Sequence, residues 1–126
     1  MKPTAPHGIV LFAHGSRDPG WSAPIESVAA RMQALEPSAR VICAYLDLAE
    51  PDLPTAARML VAAGARTVTV WPMFLGAGRH ARQDLPRLVD ELRARHPGVV
   101  FTLQPAIAEH PAVLDALART ALSGGG

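Results

Sequence analysis

Short apolar runs alternate strictly with helical patterns along this sequence. Four runs of strand length, rich in Val, Ile, Leu and Phe, alternate with segments whose apolar residues recur every three or four positions. Nearly continuous apolar strands are typical of a parallel sheet that is covered on both faces. The predicted strands span residues 8–13, 40–46, 66–71 and 99–104.

Each of the four helical patterns shows one apolar face, and a capping residue or a proline precedes each of them. Right-handed crossovers between parallel strands then favour the spatial order 2-1-3-4. We therefore predict an α/β fold, a single small three-layer domain in which helices flank both faces of a flavodoxin-like, four-stranded parallel sheet. The apolar faces lie within residues 25–35, 53–61, 85–92 and 113–117, with predicted starts near Ser22, Asp52, Asp84 and Pro111.

The composition is typical of one domain in a reducing compartment. With 126 residues, 49% of them hydrophobic, the chain can build one core, which we expect to span about residues 7–122 before a flexible, Gly-rich C-terminal tail. The lone Cys43 lies in an apolar run, which excludes an internal disulfide and predicts a core thiol. The first residues show neither a signal-peptide pattern nor a spanning segment, so we expect a cytoplasmic protein without membrane contact.

The charge and the motif inventory exclude several classes of function. The 12 basic residues are scattered among 11 acidic ones, so no nucleic-acid partner is expected. The sequence lacks the G-x-S-x-G elbow, the phosphate loop and the G-x-G-x-x-G fingerprint, which disfavours serine hydrolases and common nucleotide chemistry. A phosphoryl-transfer enzyme that uses His14 is an alternative, although Ala13 stands where histidine phosphatases carry arginine.

Two histidines follow neighbouring strands of the predicted sheet. His14 directly follows the first strand, and His80 lies in the loop after the third. In such a sheet the ligand crevice lies beyond the carboxyl ends of the strands, where the strand order reverses. Two imidazoles suit a late first-row divalent metal, and an incomplete ligand set leaves room for exchange. From the residues alone, a structural role for each histidine is an equally good interpretation.

Other polar residues lie in the same predicted loops. After the second strand, Asp47 can act as a metal ligand, as a proton acceptor or as a group that orients His14. Ser16 can add an anion contact, and arginine side chains match the carboxylates of an anionic ligand. The candidate arginines are Arg17, Arg79 and Arg82. The other histidines, at positions that favour structural or solvent roles, are His7, His96 and His110.

Three motifs at three successive strand ends resemble those of the short-form class II chelatases of the CbiX and SirB type. The match extends over almost the entire chain, and three motifs in the right order are far more specific than one. The motifs are His14-Gly-Ser-Arg-Asp, Leu46-Asp-Leu-Ala-Glu-Pro and Pro72-Met-Phe-Leu-Gly-Ala-Gly-Arg-His80.

The resemblance implies the insertion of a divalent metal into sirohydrochlorin or its precorrin precursor, as in the cobaltochelatases and ferrochelatases of cobalamin and sirohaem biosynthesis. Cobalt is the expected metal substrate, with iron or nickel as alternatives, and no nucleotide or permanently bound cofactor is implied. The short form works as a homodimer, which is therefore expected here. The alternative from another class is a noncatalytic carrier of metal or tetrapyrrole with the same fold.

The resemblance also assigns roles to the candidate residues. The two family histidines fall on His14 and His80, which would hold the metal and accept the ring protons. Asp47 stands where the family commonly has glutamate, one methylene longer, and would be a third metal ligand. The residues expected to contact the tetrapyrrole are Met73, Phe74 and Leu75 on its ring, and Ser16, Arg17, Arg79 and Arg82 at its periphery.

Overall fold

Four parallel strands form the centre of the fold, in the spatial order β2-β1-β3-β4. The computed structural model describes residues 7–76 and 78–124, without the side chain of His80. The predicted order is confirmed, and the predicted strand ends differ from the observed ones by no more than one residue. The strands are β1 (His7–Ala13), β2 (Arg40–Tyr45), β3 (Thr67–Pro72) and β4 (Val100–Leu103).

The helices follow the strands in alternation, which confirms the predicted α/β class. A short 3-10 turn, Pro19–Ser22, precedes the first helix, and a second, Ile107–Glu109, precedes the last. The four helices are α1 (Ala23–Leu35), α2 (Leu53–Ala62), α3 (Arg79–Arg95) and α4 (Pro111–Leu122). The predicted flexible tail begins after α4, and its last two glycines lie outside the described residues.

Alternate side chains of the strands pack on opposite faces of the sheet. On one face, Val10 and Phe12 belong to the larger core cluster, which includes the buried residues of α2 and α3. On the other face, Leu11 and Tyr45 pack with Ile25 of α1. Burial on both faces explains why the strands are continuously apolar in sequence.

Cys43 faces α1 from β2, where it is half-buried. Burial, with a smaller contribution from the negative charge of Glu26, raises the pKa of its thiol to about 11. A thiol with so high a pKa is a poor nucleophile at neutral pH, so the predicted core role fits its surroundings.

α3 begins earlier than the sequence predicted. The N–H of Arg82 donates to the carbonyl of Gly78 at 3.0 Å, so the helix starts at Arg79 and the predicted start at Asp84 is wrong. Pro86 therefore lies inside the helix, where it removes one backbone hydrogen bond. Burial of Leu85 and Val89 against the sheet offsets that loss, because apolar packing outweighs local propensity.

α4 differs from the other helices, because none of its residues is buried. The helix packs chiefly on the preceding 3-10 turn and leaves Leu114 and Leu117 52% and 45% exposed. Its start is capped by His110, whose Nδ1 accepts the N–H of Ala112 at 3.2 Å, in agreement with the predicted structural position of that histidine. Within residues 7–76 and 78–124, no helix is both long and apolar enough to cross a membrane.

The N-cap of α2 yields a test of the fold. The Asp52 carboxylate accepts the Thr55 N–H at 2.9 Å, and hydrogen bonds from the Thr55 side chain and backbone hold the pKa of Asp52 below its ordinary value. Asp52→Ala should lower the free energy of unfolding by about 1 kcal/mol at pH 7, as measured in urea.

The effect of Asp52→Ala should depend on pH with a definite sign. The ionised carboxylate contributes fully above the pKa of aspartate in the unfolded chain, and this contribution is lost as the pH falls through the lower pKa of the folded state. The matched control is Asp84→Ala, which removes an exposed carboxylate and should change stability by less than about 0.5 kcal/mol. Equal effects of both substitutions would contradict the capping role.

Candidate functional site

The carboxyl ends of β1, β2 and β3 gather three loops at one edge of the sheet. Backbone hydrogen bonds continue past the strands, from the Leu46 N–H to the Ala13 carbonyl at 2.9 Å and from the Met73 N–H to the Phe12 carbonyl at 2.7 Å. The strand order reverses between β1 and β3, which is where open α/β sheets bind their ligands. The three loops therefore start from one rigid edge.

His14 is the first residue after β1, and its side chain is exposed. Its ring packs on the ring of Phe74, with 4.9 Å between the centroids and 31° between the planes. Phe74 itself is only 9% exposed and belongs to the core cluster beneath α3. The structure thus places Phe74 under the imidazole as a support, which leaves His14 as the solvent-facing member of the pair.

The loops after β1 and β2 cross in close contact at Gly15. The N–H of Gly15 donates to Oδ1 of Asp47 at 3.3 Å, and a Cβ atom at position 15 would lie 1.7 Å from the Asp47 carbonyl oxygen. Only glycine allows this approach, because the clashing atom belongs to backbone. Asp47 is thus held next to His14, because its side chain binds the backbone of Gly15, the residue that follows His14.

The rest of the first loop is closed by its own polar groups. The N–H of Asp18 donates to Ser16 Oγ at 3.1 Å, and the Asp18 carboxylate accepts the N–H of Gly20 at 2.9 Å. Arg17 lies between Ser16 and Asp18 in the chain, and its side chain is exposed. Ser16 thus has a role within the loop, and Arg17 is presented to solvent.

Trp21 is a site residue that the sequence analysis missed. Its indole N–H donates to the His14 carbonyl at 2.8 Å, and its side chain is 55% exposed. A tryptophan is rarely so exposed without a reason, and one seven residues after a candidate histidine could have been noticed in the sequence.

The start of α3 concentrates positive charge beside this edge. Arg79 and Arg82 are exposed in the first turn of the helix, and that turn has no acidic residue. The helix dipole is also positive there, so this placement opposes helix stability and suits an anionic ligand. His80 is the second residue of the helix, and its side chain lies outside the described part of the structure.

The third loop also presents apolar side chains. Met73 is half-buried and follows β3 directly, whereas Leu75 is exposed. Ala77 lies outside the described residues. Of the three residues predicted to contact the tetrapyrrole ring, Leu75 and part of Met73 are accessible, whereas Phe74 is buried.

The other histidines lie away from this arrangement or serve the fold. His7 is at the opposite end of β1, with its ring nitrogens 2.6 and 3.3 Å from the hydroxyls of Thr67 and Thr69. His96 caps the end of α3, as expected. Among the side chains that the structure describes, no three His, Cys, Asp or Glu residues form a group able to hold a metal ion.

Comparison with known proteins gives a consistent family. The CbiX family model matches residues 8–123. A protein from Arabidopsis thaliana named chloroplastic sirohydrochlorin ferrochelatase is 30% identical over 86% of this chain and 48% of its own length. A sirohydrochlorin cobaltochelatase from Sulfolobus acidocaldarius is 31% identical over 67% of each chain. The chain thus spans about half the length of the Arabidopsis relative.

Two solved structures have the same fold. A structure from Marinobacter aquaeolei VT8, described as a cobalamin (vitamin B12) biosynthesis CbiX protein, superposes with a TM-score of 0.81 and 36% identity, covering 94% of this chain and 97% of the other. SirB from Bacillus subtilis in complex with cobalt superposes with a TM-score of 0.77 over 94% of this chain and half of its own. At 22% identity, SirB supports the fold.

The crossing of the two loops at Gly15 can be tested directly. Gly15→Ala should lower the free energy of unfolding by about 1–3 kcal/mol, because the new Cβ must push the Asp47 backbone away. Gly98→Ala is the matched control, since a Cβ at Gly98 has nothing within 4 Å. Urea denaturation of both variants is the measurement, and equal stabilities would contradict the close approach.

Proposed function

We propose that this chain, which belongs to the CbiX family, inserts a divalent metal ion into sirohydrochlorin. Cobalt is the proposed metal, with iron and nickel as the alternatives to be compared. The names of the relatives, sirohydrochlorin cobaltochelatase and sirohydrochlorin ferrochelatase, support the substrate class. The structural observation that carries the proposal is the exposed His14 at the strand-order reversal, with its ring supported by Phe74.

The reaction requires a base and a weak metal site. One divalent metal ion replaces two pyrrole N–H protons, so two protons leave the ring for each metal that enters. A neutral imidazole coordinates divalent metals and accepts protons near neutral pH, so His14 and His80 are proposed to do both. A small ligand set suits this task, because a closed coordination shell would retain the metal.

Asp47 is proposed as the third metal ligand. One of its oxygens accepts the Gly15 N–H, and a carboxylate has enough acceptor sites to leave the other oxygen for a metal. The same hydrogen bond holds the carboxylate next to the residue that follows His14. The shorter side chain of aspartate is compatible with this role because the two loops already touch.

The ring and its acidic periphery are proposed to meet different residues. Arg79 and Arg82, at the positive end of α3, and Arg17, in the first loop, would bind the peripheral carboxylates, with Ser16 as an additional donor. Met73 and Leu75 would contact the ring itself, and Phe74 would act from beneath His14. Sirohydrochlorin combines a flat ring with several carboxylates, so both kinds of contact would contribute to its binding.

The proposal predicts the behaviour of the two histidine variants. His14→Ala and His80→Ala should each lower the rate of cobalt insertion by at least about 100-fold, because each removes a proton acceptor and metal ligand. Visible spectra recorded anaerobically with sirohydrochlorin and Co²⁺, Fe²⁺ or Ni²⁺ give the rates and compare the metals. His7→Ala, at the opposite end of the sheet, should retain the original rate.

Two outcomes would contradict the proposed reaction. Unchanged rates in both histidine variants would exclude the assigned residues. An original protein that binds sirohydrochlorin without exceeding the uncatalysed rate would instead be a tetrapyrrole carrier.

A homodimer is proposed as the working form. The exposed leucines of α4 support it, because an amphipathic helix without any buried residue leaves its apolar face available to a partner. The chain also spans about half the length of the Arabidopsis relative, so two copies would match the size of that protein.

The oligomeric state can be measured by light scattering. The original protein should have twice the 13.3 kDa of one chain. Leu114→Asp combined with Leu117→Asp should yield the mass of one chain, because charges in an apolar interface oppose association. The control Leu35→Asp changes an exposed leucine of α1 and should leave the mass unchanged. A single-chain mass for the original protein would refute the dimer.

A further inference from the structure

The loop after β1 contains an aromatic side chain that the proposed metal chemistry does not use. Trp21 lies in the 3-10 turn Pro19–Ser22, and its indole N–H reaches back seven residues to the His14 carbonyl at 2.8 Å. The backbone N–H of Trp21 also donates to the Asp18 carbonyl at 3.0 Å. The indole therefore closes the loop onto the residue that bears the imidazole.

His14 is held from two sides by two different aromatic residues. Phe74 contacts its ring, and Trp21 binds its backbone carbonyl. Phe74 contacts only the ring, whereas the indole N–H binds the carbonyl of the His14–Gly15 peptide, the same peptide whose N–H donates to Asp47 Oδ1. Together these contacts hold the ring and the peptide of residue 14, which is the kind of support that fixes the position of a functional side chain.

The exposed indole also forms part of an apolar groove. The groove has a volume of about 410 Å³, and its lining consists of apolar side chains and one glycine. Ala13, which precedes His14, and Met73, which follows β3, both line it, so the groove lies at the same end of the sheet as the candidate site, on the face covered by α1. The remaining lining residues are Gly20, Trp21, Pro24, Ile25 and Val28.

We propose that Trp21 is a positioning residue for His14, and that its exposed ring, with Met73, forms the apolar wall on which the flat ring of the tetrapyrrole packs. This inference rests on the proposed function. It assigns two separable tasks to one side chain, because the indole N–H acts on the protein and the indole face acts on the substrate. A flat, polarisable ring packs favourably on an exposed aromatic face. Arg17 in the same loop supplies a positive charge for the acidic rim of that substrate.

Two substitutions separate the tasks. Trp21→Phe retains an aromatic face and removes the N–H, so kcat for cobalt insertion should fall about fivefold to tenfold with KM within twofold of the original. Trp21→Leu removes the N–H and the aromatic face, so KM for sirohydrochlorin should also rise about tenfold. Trp71→Phe is the matched control, because Trp71 lines a separate cavity with Gln104 and Pro105; it should leave both constants within twofold.

The pattern across the variants decides the inference. A fall in kcat alone for Trp21→Phe, with an added rise in KM for Trp21→Leu, supports it. Unchanged kcat and KM in both Trp21 variants would overturn it. Equal losses of kcat in both variants that accompany a lower melting temperature would also overturn it.

Failure of the proposed function would give a different result. If the original protein inserts no metal, equilibrium binding of sirohydrochlorin, followed by absorbance, replaces the rates. Weaker binding by Trp21→Leu than by Trp21→Phe then supports the aromatic wall, and equal binding by Trp21→Leu and the original protein overturns the inference.

Discussion

β1 lies in the middle of the sheet, and its pairing with both neighbours sets where the loops of the candidate site begin. β1 pairs in parallel with β2 on one side and with β3 on the other, and its side chains are packed on both faces. Because parallel strands end at the same edge, this pairing places the loops after all three strands together. The chemistry proposed for the chain is possible only because His14 extends directly from this buried strand.

The loops are held by contacts that also limit what each position can contain. Gly15 cannot carry a side chain because the backbone of Asp47 occupies the space, and the imidazole of His14 is supported by a phenylalanine from the third loop. Stability and function are therefore coupled at this edge. The arginines at the start of α3 show the opposite relation, since their positive charges oppose the helix dipole where an anionic ligand would gain from them.

Much of the fold could be predicted because its evidence is local in sequence. Apolar runs indicated the strands to within one residue, and Asp52 identified the start of α2. The start of α3 was predicted wrongly at Asp84, because a proline inside a helix is locally unfavourable and only packing against the sheet compensates for it. The sequence predicted which residues follow the strand ends, such as His14 and Asp47, but it did not predict which side chains those residues contact.

The α/β class, the order of the strands and the edge of the sheet at which His14 lies could all be predicted from the sequence, because apolar periodicity indicates the strands and helices and right-handed crossovers limit how they connect. Three contacts became visible only in the folded chain: the ring of Phe74 against the imidazole, Asp47 against Gly15, and the indole of Trp21 on the carbonyl of His14. The physical reason is that each of these contacts joins residues from irregular loops. Residues in loops have no regular spacing of apolar and polar positions from which a contact could be predicted. Only the packed sheet brings them within bonding distance.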